Sequence, residues 1–267
     1  VLRRSRLPIA LTVAGSDSGG GAGLQADLQT FGALHVHGTC VVTALTAQNP
    51  RGVLGIQAAS HRMVARQLEA VFAELKPAAT KTGMLLSAPI IAEVAKWFRR
   101  ARGVPLVVDP VMLATSGARL LQPAAQRTLC RELLPLATLI TPNVPEAEAL
   151  IGRALRDEAD LREAARALTA RFGCATLLKG GHLPGTREAT DIFYDGRVEL
   201  RLHAPRVRGL RTHGTGCTYA AAITAFLARG ESLISAVRKG KAYITAAIAG
   251  SQRVGRHQVL GWRNRLA

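Results

Sequence analysis

Short aliphatic runs alternate with segments of helical period along most of this chain, and that rhythm leaves few folds open. Ile9 to Ala14, Pro105 to Val108, Thr138 to Thr141 and Ala175 to Leu178 are rich in Val, Ile, Leu and Thr. Each ends in a glycine, proline or polar residue, as a strand buried on both faces does. Cys40 to Ala47, closing at Gln48-Asn49-Pro50, and Ala78 to Met84 read as a strand and as a strand with its loop. Between them, apolar residues recur at helical spacing: Leu24, Leu28 and Phe31, then Met63 to Leu75, Ile90 to Phe98, Ala124 to Leu134 and Asp160 to Phe172. Thr218 to Arg229 and Leu233 to Ala249 add two Ala-rich helices, and the tail from Arg253 reads as irregular. Asp195-Gly196, between Ile192–Tyr194 and Val198–Leu202, is a hairpin signal. The pattern predicts an α/β fold, a mostly parallel central sheet flanked by helices on both faces. Ligands of such sheets gather at the carboxyl ends of the strands. There the chain places Gly15 to Gly23, Gln48, Lys81 to Met84, Asp109, Asn143, Lys179 and the loop before Thr218.

At 267 residues and 48% hydrophobic, the chain can bury a full core. The net charge of +17 comes mostly from arginines scattered through the sequence, with few aromatics among them. That distribution argues against nucleic acid, which calls for a clustered basic face, and leaves a weak attraction for anionic substrates. The four cysteines, Cys40, Cys130, Cys174 and Cys217, have neither the spacing of a zinc site nor that of a disulfide framework. No apolar stretch reads as a signal peptide or membrane span. The expectation is a cytoplasmic protein with no membrane partner.

Arg211-Thr212-His213-Gly214-Thr215-Gly216-Cys217 precedes a run of small residues and reads as a glycine-rich turn feeding a helix. Glycines there let the backbone approach a ligand, and the first helical amides form an anion site. Phosphate on bare amides beside a potential base is what phosphoryl transfer needs. Cys217 at that end is expected to have a depressed pKa; the alternative is a helix start holding a small buried thiol. Gly19 to Gly23 lacks the third glycine of a dinucleotide loop, since position 24 is Leu, and Gly240-Lys241 lacks the rest of a P-loop.

The remaining polar residues each allow two readings. Asp109 is either a Mg²⁺ ligand bridging phosphates or a turn former before Pro110. Glu146, three residues after Asn143, extends an acidic patch or sits in the first turn of a helix. Lys179 reaches a phosphate or is solvated. Gln48 offers donor and acceptor to a heterocycle edge or belongs to a loop. Met84 and Val111 sandwich a flat ring or belong to the core. His182 and His213 can titrate near neutrality, and neither is taken as catalytic.

These residues together resemble the hydroxymethylpyrimidine/phosphomethylpyrimidine kinase family of the ribokinase superfamily. The resemblance rests on Ala14-Gly15-Ser16-Asp17-Ser18-Gly19-Gly20-Gly21-Ala22-Gly23-Leu24-Gln25-Ala26-Asp27, Thr43 to Asn49, Lys81-Thr82-Gly83-Met84 and Asp109-Pro110-Val111-Met112. It continues through Thr115-Ser116-Gly117, Thr141-Pro142-Asn143 with Glu146 and Glu148, Lys179 to His182, and His213 to Thr218, in the family's order. It implies one ribokinase-like domain over residues 1–267, with its core at about 8–250. It implies ATP- and Mg²⁺-dependent phosphorylation of 4-amino-5-hydroxymethyl-2-methylpyrimidine, and of its monophosphate, in thiamine biosynthesis. It also implies a homodimer. By position, Gln48 would bond the aminopyrimidine, with Met84 and Val111 on the ring and Gly15, Ala22 and Asp27 near it. Gly214, Thr215 and Gly216 would form the anion hole, with Cys217 where most of the superfamily has an aspartate base. Asp109, Asn143 and Glu146 would organise Mg²⁺ and the nucleotide phosphates, and Lys179 would contact the phosphate chain. The alternatives are a pyridoxal kinase of the same superfamily and a pyrimidine sensor without turnover.

Overall fold

A computed structural model describes residues 6–101, 103–112, 120–181, 188–206 and 213–262. The expectations placed on Thr115-Ser116-Gly117, His182 and Arg211-Thr212 lie outside the described residues. The main sheet is built from β1 (Ile9–Ala14), β2 (His37–Val42), β5 (Ala79–Thr82), β6 (Leu106–Val108), β7 (Leu139–Ile140) and β8 (Ala175–Lys179), all parallel. A hairpin, β9 (Asp191–Tyr194) and β10 (Glu199–Leu202), adds antiparallel to β8, giving the order β10-β9-β8-β7-β6-β5-β1-β2. Gly196 turns that hairpin at φ +97°, a conformation the expected Asp195-Gly196 turn supplies.

Side-chain alternation along the strands divides the core in two. Leu11, Val13, Val108, Ile140 and Leu178 point to one face, against α2 (His61–Glu74), α3 (Ala88–Arg100), α4 (Pro123–Thr128), α5 (Val144–Ile151) and α6 (Glu158–Phe172). Ala10, Ala79, Val107, Leu139 and Leu177 point to the other, against α1 (Gly23–Ala33), α7 (Thr215–Ala228) and α8 (Leu233–Ala249). The period-two alternation of a strand forces this division. Small residues bring α7 and α8 together: a Cβ on Gly240 would lie 2.5 Å from Ile223.

Three expectations are corrected. The single strand Cys40 to Ala47 is two: β2 ends at Val42, and β3 (Ala44–Asn49) leaves the sheet to pair antiparallel with β4 (Gly52–Ala58). The break is at Thr43, whose hydroxyl donates to the Met84 carbonyl at 2.6 Å. The helix Ala124 to Leu134 is broken: α4 passes into a π-helical turn at Leu129–Leu133 and a 3₁₀ turn at Leu134–Leu136, where Pro135 removes an amide. The tail as far as Trp262 is regular: Gln252–Val254 and His257–Val259 form a hairpin, β11 and β12. Leu260 is buried beyond it, and the Trp262 indole donates to Thr218 Oγ1 at 3.1 Å.

Candidate active site

The carboxyl ends of β1, β5, β6, β7 and β8 face the start of α7, and a constellation of polar groups gathers there. Gly214 sits ahead of α7 at φ +78°, and no side chain caps the helix. A Cβ on Gly214 would fall 1.9 Å from the Gly21 carbonyl oxygen and 3.1 Å from Ala22 Cα. Only glycine fits between the two loops. Thr218 N–H makes the first internal helical bond, to Gly214 O at 2.9 Å, so the amides of residues 215–217 form the positive end of α7.

Gly216 is open on the side where two charged groups meet. A Cβ there would lie 3.2 Å from Lys179 Nζ and 3.7 Å from Asp109 Oδ2. Lys179 Nζ donates to Asp109 Oδ1 at 2.8 Å, and Thr141 Oγ1 donates to the same oxygen at 3.0 Å. Asp109 Oδ2 accepts no hydrogen bond among the described residues and is turned toward α7. Burial works against the Lys179 charge, but Asp109 and Glu146 outweigh it and raise its pKa. Of the two readings of Glu146, the structure gives the helical one a definite form. The Asn143 side chain accepts from Glu146 N, and Glu146 Oε2 accepts from Asn143 N, both at 2.9 Å, a reciprocal cap at the start of α5. Burial pushes the Glu146 carboxyl up to about 7, with Asp109 adding to it and Lys179 and two backbone amides opposing.

Mg²⁺ often takes one or two protein carboxylates and fills its remaining positions with phosphate and water. The uncommitted Asp109 Oδ2, with the buried Glu146 carboxyl acting on it electrostatically, fits that demand. Among the described residues no three His, Cys, Asp or Glu side chains gather into a closed metal site.

The expected low pKa of Cys217 is overturned. Burial pushes the thiol up to about 11; Lys81 and the Gly23 amide lower it, while Asp27 and Asp109 raise it further. The positive helix end loses to desolvation here, because Asp27 already neutralises Lys81, the cation that acts most on the thiol.

The residues expected around a substrate ring also converge. Met84 and Val111 belong to one small apolar cluster with Ala44 and Leu120. A Cβ on Gly15 would strike Met84 Cε at 2.2 Å, and Ala22 is buried beside Gly214. Asp27 is not available to a ligand. It is fully buried, both of its oxygens accept from Lys81 Nζ, at 2.7 and 2.8 Å, and Thr12 Oγ1 donates to Oδ2 at 2.6 Å. Gln48 leans toward the α7 loop, its side-chain amide 2.9 Å from His213 Nε2.

The sequence reading placed Lys81 and Asp17 at the strand ends but gave neither a role of its own. Lys81 is 0% exposed in mid-sheet, which only a buried counter-charge permits. Asp27 shares the inward helical face of Leu24 and Phe31, so the pair was detectable as two inward charges. Asp17 organises the glycine loop: Oδ1 accepts from Gly19 N at 2.8 Å, and Oδ2 accepts from Gly21 N at 3.1 Å and Ala22 N at 2.8 Å. His213 Nε2 is 3.2 Å from the same Oδ2. Burial alone would raise the Asp17 pKa, yet the His213 and backbone bonds hold it below the ordinary value.

Known proteins are similar to this chain over most of its length. The profile of a family described as phosphomethylpyrimidine kinase matches residues 17–261. The hydroxymethylpyrimidine/phosphomethylpyrimidine kinase of Rhizobium meliloti is 51% identical over 92% of this chain and 92% of its own. The thiamine biosynthesis bifunctional protein of Geobacter sulfurreducens is 49% identical over 95% of this chain, which spans 52% of that protein. Among solved structures, the pyridoxal kinase of Staphylococcus aureus in complex with AMP-PCP and pyridoxal superposes with a TM-score of 0.88 at 32% identity, covering 98% of this chain and 96% of its own.

Proposed function

This chain belongs to the phosphomethylpyrimidine kinase family, and we propose that it transfers the terminal phosphoryl group of ATP to 4-amino-5-hydroxymethyl-2-methylpyrimidine and then to the monophosphate, in thiamine biosynthesis. The observation that carries the reading is the meeting of Lys179 Nζ and Asp109 Oδ2 over Gly216, at the uncapped start of α7. A transferring phosphoryl group needs positive charge on its equatorial oxygens and little covalent help. The amides of residues 215–217 and Lys179 supply that charge from fixed positions. The alcohol oxygen bonds to the terminal phosphorus as the bond to the ADP oxygen breaks, and the hydroxyl proton leaves late, to a phosphate oxygen or to water. Cys217, a neutral thiol at physiological pH, orients the alcohol rather than drawing its proton early. Mg²⁺ would be held by Asp109, with Glu146 behind it, and would neutralise phosphate charge. Gln48, Met84, Val111, Gly15 and Ala22 form the walls for the ring, and Asn143 holds the loop between β7 and α5.

Further support comes from the rest of the molecule. Two core clusters share one sheet, which favours a single kinase domain over residues 1–267. The relative complexed with AMP-PCP, a non-transferring analogue of ATP, supports the nucleotide. Leu54 and Leu45 on the β3–β4 ribbon are 83% and 56% exposed, apolar surface that suits a homodimer. The four cysteines are unpaired, as in a reducing cytoplasm. Because a relative binds pyridoxal, that alcohol is the second reading. The test is a panel of pyrimidine and pyridine alcohols with ATP and Mg²⁺, following mono- and diphosphate products. Turnover of the aminopyrimidine is expected to exceed that of pyridoxal. Turnover of pyridoxal alone would reverse the assignment, and no turnover of any alcohol would leave a sensor.

A further inference from the structure

Lys179 carries its charge at the end of a flexible side chain, so where the ammonium stands depends on how the backbone beneath it is held. On one side, Lys179 N donates to Pro142 O at 2.9 Å. On the other, β8 ends, and the next amide turns to a side chain: Gly180 N donates to Asp191 Oδ1 at 3.0 Å. The fit is close there. A Cβ on Gly180 would fall 2.2 Å from Thr190 O and 2.6 Å from Leu161 Cδ1. The chain just beyond Lys179 is therefore set by a carboxylate.

That carboxylate is itself held. Asp191 is paired opposite Lys179 in the β8–β9 ladder, which puts both side chains on one face of the sheet. Its Oδ2 accepts from Lys241 Nζ at 2.7 Å, and Lys241 Nζ also donates to Ala189 O at 2.9 Å. Both residues are buried, Asp191 at 3% and Lys241 at 8% exposed. Lys241 reaches them from α8, and Gly240 beside it lets α8 close on α7: a Cβ there would lie 2.5 Å from Ile223 and 3.3 Å from Tyr219. Stability does not account for such a pair, because apolar residues of the same volume usually hold a fold as well or better. An apolar pair, however, offers nothing to the Gly180 amide.

We propose that Asp191 and Lys241 are positioning residues for phosphoryl transfer: Lys241 holds the Asp191 carboxylate, the carboxylate holds the Gly180 amide, and the Lys179 ammonium is thereby kept over Gly216 beside Asp109. The inference rests on the kinase reading above and adds to it two residues that act from behind the site. A charge displaced by a fraction of its reach costs rate rather than ground-state binding of the alcohol.

The test compares two neutral replacements of the pair. Lys241→Met with Asp191→Asn keeps an oxygen for Gly180 N; Lys241→Met with Asp191→Leu removes it. With ATP and the alcohol that the wild type phosphorylates best, the first double variant should keep kcat within about threefold of wild type. The second should lose about tenfold or more, with the alcohol KM unchanged in both. Equal kcat values in the two would overturn the proposal. In a Lys179→Met background, exchanging Asn for Leu at position 191 should alter kcat by less than about twofold, since no ammonium is left to place. The full loss there would make the pair a structural tie only. A readout without turnover accompanies these: the ¹⁵N signal of the Lys179 ammonium, assigned by its loss in Lys179→Met, should move in the leucine variant and stay in the asparagine one. A signal alike in both sinks the positioning, whatever the enzyme phosphorylates. Should the leucine variant not fold by thermal melting, Asp191→Ala takes its place. Whichever variants fold, a wild-type Gly180 amide that exchanges with solvent as fast as a free chain overturns the proposal. A wild type inert toward every alcohol would remove the proposed function, while the ammonium signal and the amide exchange still decide the positioning.

Discussion

A thiol at a helix N-terminus is commonly a reactive one, and Cys217 departs from that rule because of what surrounds it. The cation that acts most on it, Lys81, is already spent on Asp27, so burial governs and the thiol is pushed up to about 11. Thiolate absorbance or iodoacetamide labelling of Cys217 should accordingly keep rising to well above pH 9, and a midpoint below 8 would contradict this account. For the same reason Cys217→Ala should lower kcat by about tenfold or less, under the usual range for losing a general base. Gly214→Val should do far more damage, since its side chain would enter the Gly21 carbonyl. Asp17 supplies a prediction of opposite sign. Its pKa is depressed in the fold, so the stability it adds is present above the unfolded value near 4 and is lost as pH falls through the folded value. The Tm gap between wild type and Asp17→Asn should be full at pH 7 and shrink in acid. A gap independent of pH would deny the charged bonds to His213 and the loop amides. In the sequence Asp17 was hidden because an Asp among glycines looks like any turn former; its partners come from the whole loop and from the far end of the chain.

At the level of elements, the strand tips were legible because parallel strands buried on both faces are nearly pure aliphatic runs, and polar residues punctuate their ends. Lys179, Asp109 and Asn143 could be placed in this way. The β3–β4 ribbon was not legible, because Gly52, Gly55 and the exposed Leu54 break any alternation. The terminal hairpin was missed because each of its strands is only three residues long. The Gly240-Lys241 pair, rejected as a phosphate loop, has a different purpose. Lys241 Nζ, on α8, donates to Asp191 Oδ2 at 2.7 Å and to Ala189 O at 2.9 Å, while Asp191 Oδ1 accepts from Gly180 N at 3.0 Å. One ion pair thus ties both flanks of the segment that follows Lys179. Lys241→Met strands a buried carboxylate and should cost about 3–5 kcal/mol, read by chemical denaturation. Combining it with Asp191→Asn should recover much of that loss; if the double variant is no better than the single one, the ion pair is not the cause.

On the scale of the whole molecule, an apolar ribbon open to solvent and a high positive charge pull in different directions, the first toward association and the second toward dispersal. Sedimentation should find a dimer that persists at moderate salt, and Leu45→Lys with Leu54→Lys should return it to monomers. An unchanged sedimentation coefficient would move the interface elsewhere. The closing stretch of the chain reaches further than its position suggests. The Trp262 indole holds Thr218, one residue past Cys217, and Tyr243 on α8 donates to the Trp262 carbonyl. Any load carried by Trp262 therefore pulls on the floor beneath the chemistry, and loosening that one indole would be felt at the helix that receives the phosphate.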